Sequence, residues 1–242
     1  MNLTSIIIPN YNGRTLLADC IYSIRQHTDV PYEIIVVDNG STDGSTEFCR
    51  QEQITFVSLP ENRGFPAACN IGLQLSRGDN LLLLNNDVLV TREWLERMLD
   101  CLHSSADIGV VGPVTDYASG RQQLDVSGMQ QEEVLAQFST RDRGKWQVAD
   151  RIVGLCYLMK REVFDRVGLL DERFSPGHYE DDDYCFRVRL EGYRLMIAGD
   201  SFIYHLGSKS FGKEDQEQVK ELLIRNREKF IAKWGVDPSI YM

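Results

Sequence analysis

The chain has 242 residues, 43% of them hydrophobic, enough to bury the core of one α/β domain. A formal net charge of -10, with 26 Lys and Arg scattered among 36 Asp and Glu, would repel a phosphate backbone and sets nucleic acid aside as a partner. The six cysteines lie far apart with no C-x-x-C pair, so they read as small buried hydrophobes in a reducing compartment and not as a metal site.

Met1 leads quickly into Ile6-Ile7-Ile8 with Pro9 behind, which lacks the basic flank and the length of a signal peptide. No apolar stretch approaches the roughly 18 residues of a membrane span. The expectation is a cytoplasmic protein, and peripheral contact with a membrane is compatible with it. Short apolar runs then alternate with amphipathic segments, as in βα units feeding a mostly parallel sheet. Strands are predicted at 4–9, 33–38, 54–59, 80–84 and 108–112, with helices at 15–27, 43–51, 66–76 and 92–104. Pro66 suits a first helical turn, where its missing N–H would have had no partner.

From 115 to 150 the periodicity weakens, apart from a helical hint at 132–138. Stretches of that length without strong elements are usually functional. There follow a strand near 152–159, a short helix at 161–167, an acidic helix from about residue 180 and an apolar run at 202–204. A last helix, 214–234, carries Val219, Leu222, Leu223, Phe230 and Trp234 along one side, as expected of a helix packed over the sheet.

Ligands of open α/β sheets bind beyond the carboxyl ends of the strands. The residues there are Asn10-Tyr11-Asn12, Asp38-Asn39-Gly40, Glu61-Asn62-Arg63-Gly64 and Asn85-Asn86-Asp87. Each group alone could be an ordinary turn. Their recurrence at successive strand ends favours one shared site. It is not a dinucleotide fingerprint, because Pro9-Asn10-Tyr11-Asn12-Gly13 stands where G-x-G-x-x-G would be needed. Residues 207–214, GSKSFGKE, match a phosphate-cradling loop except at Glu214, where a hydroxyl should hold magnesium and a carboxylate would repel phosphate. An NTPase is therefore set aside, although a Gly/Ser loop bearing lysines could still close over a diphosphate.

The run Glu180-Asp181-Asp182-Asp183 suits the first turn of a helix, where carboxylates complement the dipole. On that helix Asp181, Tyr184, Cys185 and Val188 share the face expected to point inward, while Glu180 and Asp183 align with Arg187 as an ion-pair partner. An inward carboxylate among apolar neighbours and other acids tends to hold a proton more tightly and can act as a base. Asp181 is the candidate.

The stretches SIIIPNYNG, EIIVVDNGSTDGS, ENRGFPAACNIGL, LLLLNNDV and GLLDERFSPGHYEDDDYCFRVRLEGYR resemble, in order, the motifs of glycosyltransferase family 2, inverting enzymes with the GT-A fold. The likeness covers most of residues 4–205 and is vague only across 115–150 and the last helix. It implies a Rossmann-like, mostly parallel α/β sheet flanked by helices, with a small additional antiparallel portion. It also implies one domain over 1–242: a nucleotide-sugar-binding half at 1–112, an acceptor and catalytic half at 113–212, and a C-terminal helix at 213–242.

The resemblance further implies that Pro9, Tyr11 and Asp38 line a nucleoside pocket, with Arg63 and Gly64 nearby and Asn85 and Asn86 also facing the donor. Asp87 would close the family's Asp-x-Asp metal motif, His205 would help hold a Mn or Mg ion or the diphosphate, and Asp181 would be the base. Asn85 departs from the pattern, since the first acid of that motif is an amide here; it can still ligate a hard cation, with one negative charge fewer. The expected reaction is hexosyl or deoxyhexosyl transfer from a nucleotide sugar, with UDP or dTDP favoured because Asp38 could accept from an imide N–H, and guanosine kept as the alternative base. The acceptor would be a hydroxyl of a glycan, a lipid-linked sugar or a protein. The alternative is an inactive nucleotide-sugar-binding or scaffolding domain. A pyrophosphorylase would need a basic Gly-rich loop where PNYNGRT stands, and a glycoside hydrolase would need a second positioned acid.

Overall fold

The computed structural model of the chain describes residues 2–207 and 213–241. Strands β1 (Thr4–Asn10), β2 (Tyr32–Asp38), β3 (Thr55–Ser58) and β4 (Asn80–Leu84) pair in parallel in the order β3-β2-β1-β4. Beyond β4 the sheet continues through β8 (Cys156–Lys160), β6 (Ile108–Thr115), β9 (Arg194–His205) and β5 (Val88–Val90), and β7 (Trp146–Ala149) also pairs with β9. β6 and β9 are parallel; β8 runs antiparallel to β4 and β6, and β5 and β7 run antiparallel to β9.

The helices are α1 (Arg14–His27), α2 (Ser45–Gln51), α3 (Phe65–Leu75), α4 (Trp94–Leu102), α5 (Gln131–Ala136), α6 (Arg161–Val167), α7 (Glu180–Leu190) and α8 (Lys213–Trp234). Side chains of a strand alternate between faces, and both faces are covered here, which is why the strands read as unbroken apolar runs. Ile6, Ile8, Leu82 and Leu84 join Leu17, Ile21, Trp94 and Met98 on one side. Ile7, Leu81 and Leu83 join Ala68, Leu73, Tyr184 and Val188 on the other. Gly72 lets α3 sit directly on β1: a Cβ there would lie 2.2 Å from Ile7 Cγ2.

Trp94 is fully buried and its indole N–H donates to Thr28 Oγ1 at 2.9 Å. Thr28→Val keeps the shape but removes the acceptor. It is expected to lower the unfolding free energy by about 1–3 kcal/mol, measured as a lower urea midpoint at unchanged slope.

Three features depart from the sequence expectation. β9 spans Arg194–His205, although only 202–204 was predicted, because Gly199-Asp200-Ser201 looks like a turn. In the fold it is an irregularity within one strand, where Pro113 pairs with Ala198 but Val114 with Phe202. The short strands β5 and β7 were not anticipated. Helix α8 does not pack over the sheet: Leu223, Phe230 and Trp234 pack with Phe174, Tyr179 and Phe186, on the segment leading into α7 and on α7 itself. Most of the 207–214 loop, residues 208–212, lies outside the described residues. No helix among the described residues is long and apolar enough to cross a membrane.

Candidate active site

The polar strand ends form one network. Asn10, at the end of β1, donates through Nδ2 to Asp38 Oδ1 at 3.3 Å and accepts through Oδ1 from Asn86 Nδ2 at 2.7 Å. Asn39 donates to Asn62 Oδ1 at 2.9 Å and accepts from the Arg63 N–H at 2.9 Å. The loops after β1, β2, β3 and β4 are thus tied together side by side. Asp38 is fully buried and also accepts from the Ser41 N–H and the Ser58 hydroxyl, so in this structure it organises the loops. Pro9 is buried within β1, Tyr11 is exposed, and Arg63 lies 3.8 Å from Glu172. Gly64 precedes α3 with φ 87, a conformation that favours glycine.

Beside this network opens a cavity of about 760 Å³ whose walls include Asn85, Arg151, Gly154, His178, Asp181 and His205. Of the expected site residues, Asn85, Asp181 and His205 line it; Pro9, Tyr11, Asp38, Arg63, Gly64 and Asn86 do not, and Asp87 reaches it through His205. Asp181 is held by two backbone donors, the Gly154 N–H at 2.8 Å to Oδ2 and the Asp182 N–H at 2.9 Å to Oδ1. A carboxylate has about four lone-pair sites, so each oxygen keeps acceptor capacity for a third partner. Gly154 lets the backbone approach closely: a Cβ on it would sit 3.2 Å from Asp181 Cβ.

The expectation that Asp181 alone of the four acids turns inward is corrected, because all four are buried. Asp182 meets Arg151 Nε at 2.6 Å, and Arg151 Nη2 lies 3.8 Å from Asp181. Asp183 is ringed by Arg187 Nε at 2.9 Å, Lys233 Nζ at 2.5 Å and the Trp234 indole N–H at 2.8 Å. Glu180 has a buried Oε2 with no hydrogen-bond partner. Burial first, and then the negative charge of Asp181, push both Glu180 and Asp182 well above the ordinary carboxylate range. Burial holds the His178 imidazole below its ordinary value.

At the other wall, the buried Asn85 Oδ1 has no hydrogen-bond partner. His205 Nε2 lies 3.3 Å from Asp87 Oδ1, and its Nδ1 lies 2.8 Å from the Tyr117 carbonyl oxygen. A carbonyl only accepts, so Nδ1 carries the proton and Nε2 is the atom turned to Asp87. Burial opposes the imidazolium, but Asp87 and the Tyr117 carbonyl outweigh it and raise His205 above its ordinary value. The described residues contain no group of three or more His, Cys, Asp and Glu able to hold a metal. An orphaned amide oxygen beside a carboxylate and an imidazole nonetheless fits a borderline divalent cation, and it is the donor set this wall offers.

Arg151, Gly154, His178 and Glu180 were given no individual role from the sequence. Arg151 carried no signal there; Gly154 begins the strand expected to bear on acceptor choice, and His178 and Glu180 lie in the acidic stretch that carries the family resemblance.

A family model described as "Glycosyl transferase family 2" matches residues 5–168. Over 229 residues the chain is 35% identical to glycosyltransferase AglE of Haloferax volcanii, covering 89% of this chain and 70% of that protein. It is 29% identical to the uncharacterized protein y4gI of Sinorhizobium fredii, covering 96% of this chain but only 27% of that much longer relative. Among solved structures, the mannosyltransferase PcManGT of Pyrobaculum calidifontis, in complex with GDP-Man and Mn2+, superposes with a TM-score of 0.72 at 21% identity. That superposition covers 96% of this chain and 64% of PcManGT, and it speaks to the shared fold.

Proposed function

This chain belongs to glycosyl transferase family 2, and on that premise we propose that it moves a sugar from a nucleoside-diphosphate donor to an acceptor hydroxyl with inversion, Asp181 serving as the base. One observation carries the reading. A single cavity has on one wall a carboxylate oriented by two backbone N–H groups, and on the other an amide oxygen and an imidazole paired with Asp87. In the step proposed, the acceptor oxygen attacks the anomeric carbon from the face opposite the diphosphate as Asp181 takes its proton. The bond to the diphosphate oxygen breaks, and a single displacement inverts the carbon.

Arg151 offsets the charge of the acidic cluster, and the raised proton affinity of Glu180 and Asp182 keeps the cluster from carrying three further full charges beside it. A divalent cation held by Asn85, Asp87 and His205 would neutralise charge growing on the departing diphosphate. The GDP-Man and Mn2+ of PcManGT support nucleotide sugar plus cation as the ligand class. Uracil and thymine are proposed for the base through Asp38, which would have to share a carboxylate already engaged by Asn10, Ser41 and Ser58.

The test is a thermal-shift screen of UDP, dTDP, GDP and CMP sugars with and without manganese, since a ligand of the native state raises its apparent stability. A manganese-dependent rise with at least one donor is expected, and no rise with any would remove the reading. In Asp87→Ala the manganese-dependent part of donor affinity should fall about tenfold by calorimetry, near 1.4 kcal/mol. Equal donor affinity with and without manganese in the unsubstituted protein would refute the cation role.

A further inference from the structure

Helix α8 lies outside residues 5–168, where the family model matches, and it carries a fully buried polar side chain, Asn226. Its Nδ2 stands 2.7 Å from the Phe174 carbonyl oxygen, 2.8 Å from that of Gly177 and 3.1 Å from that of His178. All three partners can only accept, so the orientation of the amide is fixed, with its NH2 group toward the turn. The other end, Oδ1, is buried with no hydrogen-bond partner. An aliphatic side chain would avoid the cost of that orphaned oxygen, so what offsets the cost is what the NH2 group holds.

What it holds is the entry to α7. His178 and Tyr179 stand in succession at φ 69 and 73, left-handed conformations that cost non-glycine residues on the order of 1 kcal/mol or more each. Tyr179 is the residue before the first turn of α7, and Asp181 lies in that turn. These two strained residues therefore set the direction in which the chain enters α7 and the aim of Asp181. Neighbouring contacts bind α8 to the same place: Phe230 packs with Phe174 and Tyr179, and Lys233 and Trp234 both bond Asp183.

We propose that Asn226 is a positioning residue for the transfer reaction. By donating to the carbonyls of Phe174, Gly177 and His178 it holds the left-handed turn that aims Asp181 into the cavity. The inference rests on the reading of Asp181 as the base. Asn226→Asp keeps the shape but sets carboxylate oxygens against three carbonyls; Asn226→Ala removes the donor without adding charge.

Both variants are compared with the unsubstituted protein in three measurements: release of nucleoside diphosphate from UDP-glucose, dTDP-glucose and GDP-mannose with manganese, water standing in as the hydroxyl that takes the glycosyl group; affinity for the free nucleoside diphosphates by calorimetry; and amide hydrogen exchange across residues 174–183. A misaimed base should lower the release rate about 100-fold. Nucleotide affinity should stay within about twofold, because among the described residues no hydrogen bond joins Asn10, Asp38, Asn39 or Asn86 to α8. Exchange across 174–183 should quicken about tenfold while β1 and β2 stay protected. An unchanged rate, unchanged exchange, affinity falling in step with rate, or loss of the fold in both variants would each overturn the proposal. Silence of the unsubstituted protein toward all three donors would instead sink the transferase reading, and the exchange measurement would still decide whether Asn226 holds the turn.

Discussion

Asp181→Asn should lower single-turnover transfer by about 10³-fold while leaving donor affinity within a factor of about two. The amide is nearly the shape of the carboxylate and can still accept from one of the two N–H groups, Gly154 or Asp182, that orient residue 181. It cannot take up the acceptor's proton at neutral pH. Donor binding should survive because the strand-end network that links Asn10, Asp38 and Asn86 makes no hydrogen bond to residue 181. Losing one negative charge from a crowded acidic cluster relieves repulsion, while the second N–H loses its acceptor, so the variant should stay folded with a stability within about 2 kcal/mol of its parent. Turnover retained at more than about a tenth of the parent rate would remove Asp181 as the base.

Arg151→Met is expected to give the largest stability loss of any substitution at the site. The guanidinium is mostly buried and lies against Asp182 at 2.6 Å and Asp181 at 3.8 Å. Removing one partner of a buried ion pair leaves an uncompensated charge and costs about 3–5 kcal/mol. For a chain of this size that is a fall in Tm of about 10 °C. The sign of its pH dependence follows from Glu180 and Asp182, which burial and Asp181 already raise, and which would rise further without Arg151. A carboxyl raised in the folded state binds more protons folded than unfolded. The stability it contributes is therefore present at low pH and lost as pH climbs through the folded value. The deficit of Arg151→Met should thus be smaller near about pH 6 than near about pH 8.5, measured by urea unfolding at both. A deficit that shrinks as pH rises would show that the acids do not depend on Arg151.

Much of the first half of the fold is legible in the sequence because β1, β2 and β4 are covered on both faces and so appear as unbroken apolar runs ended by Asn or Asp. In the second half the helices α6, α7 and α8 are legible too, but β7, most of β9 and the packing partners are not. β9 hides because Gly199-Asp200-Ser201 reads as a turn, while in the fold Asp200 accepts from the Asp142 N–H and the Trp146 indole N–H inside a continuous strand. Helical spacing singled out Asp181, but it speaks only for one helix's own faces. The partners that bury Asp182 and Asp183, namely Arg151, Lys233 and Trp234, arrive from distant segments and carry no local signal. Asn226 is the extreme case, since an Asn inside an amphipathic helix reads as part of a solvated face, and only the folded chain brings three carbonyls against it.

The most direct test is a crystal structure of the Asp181→Asn variant with an intact nucleotide sugar and manganese. If Asp181 is the base, the anomeric carbon will lie in the cavity between residue 181 and the wall of Asn85 and His205, with the diphosphate on the far side toward Asp87. A sugar bound outside that cavity, or with residue 181 on the same face as the diphosphate, would contradict it.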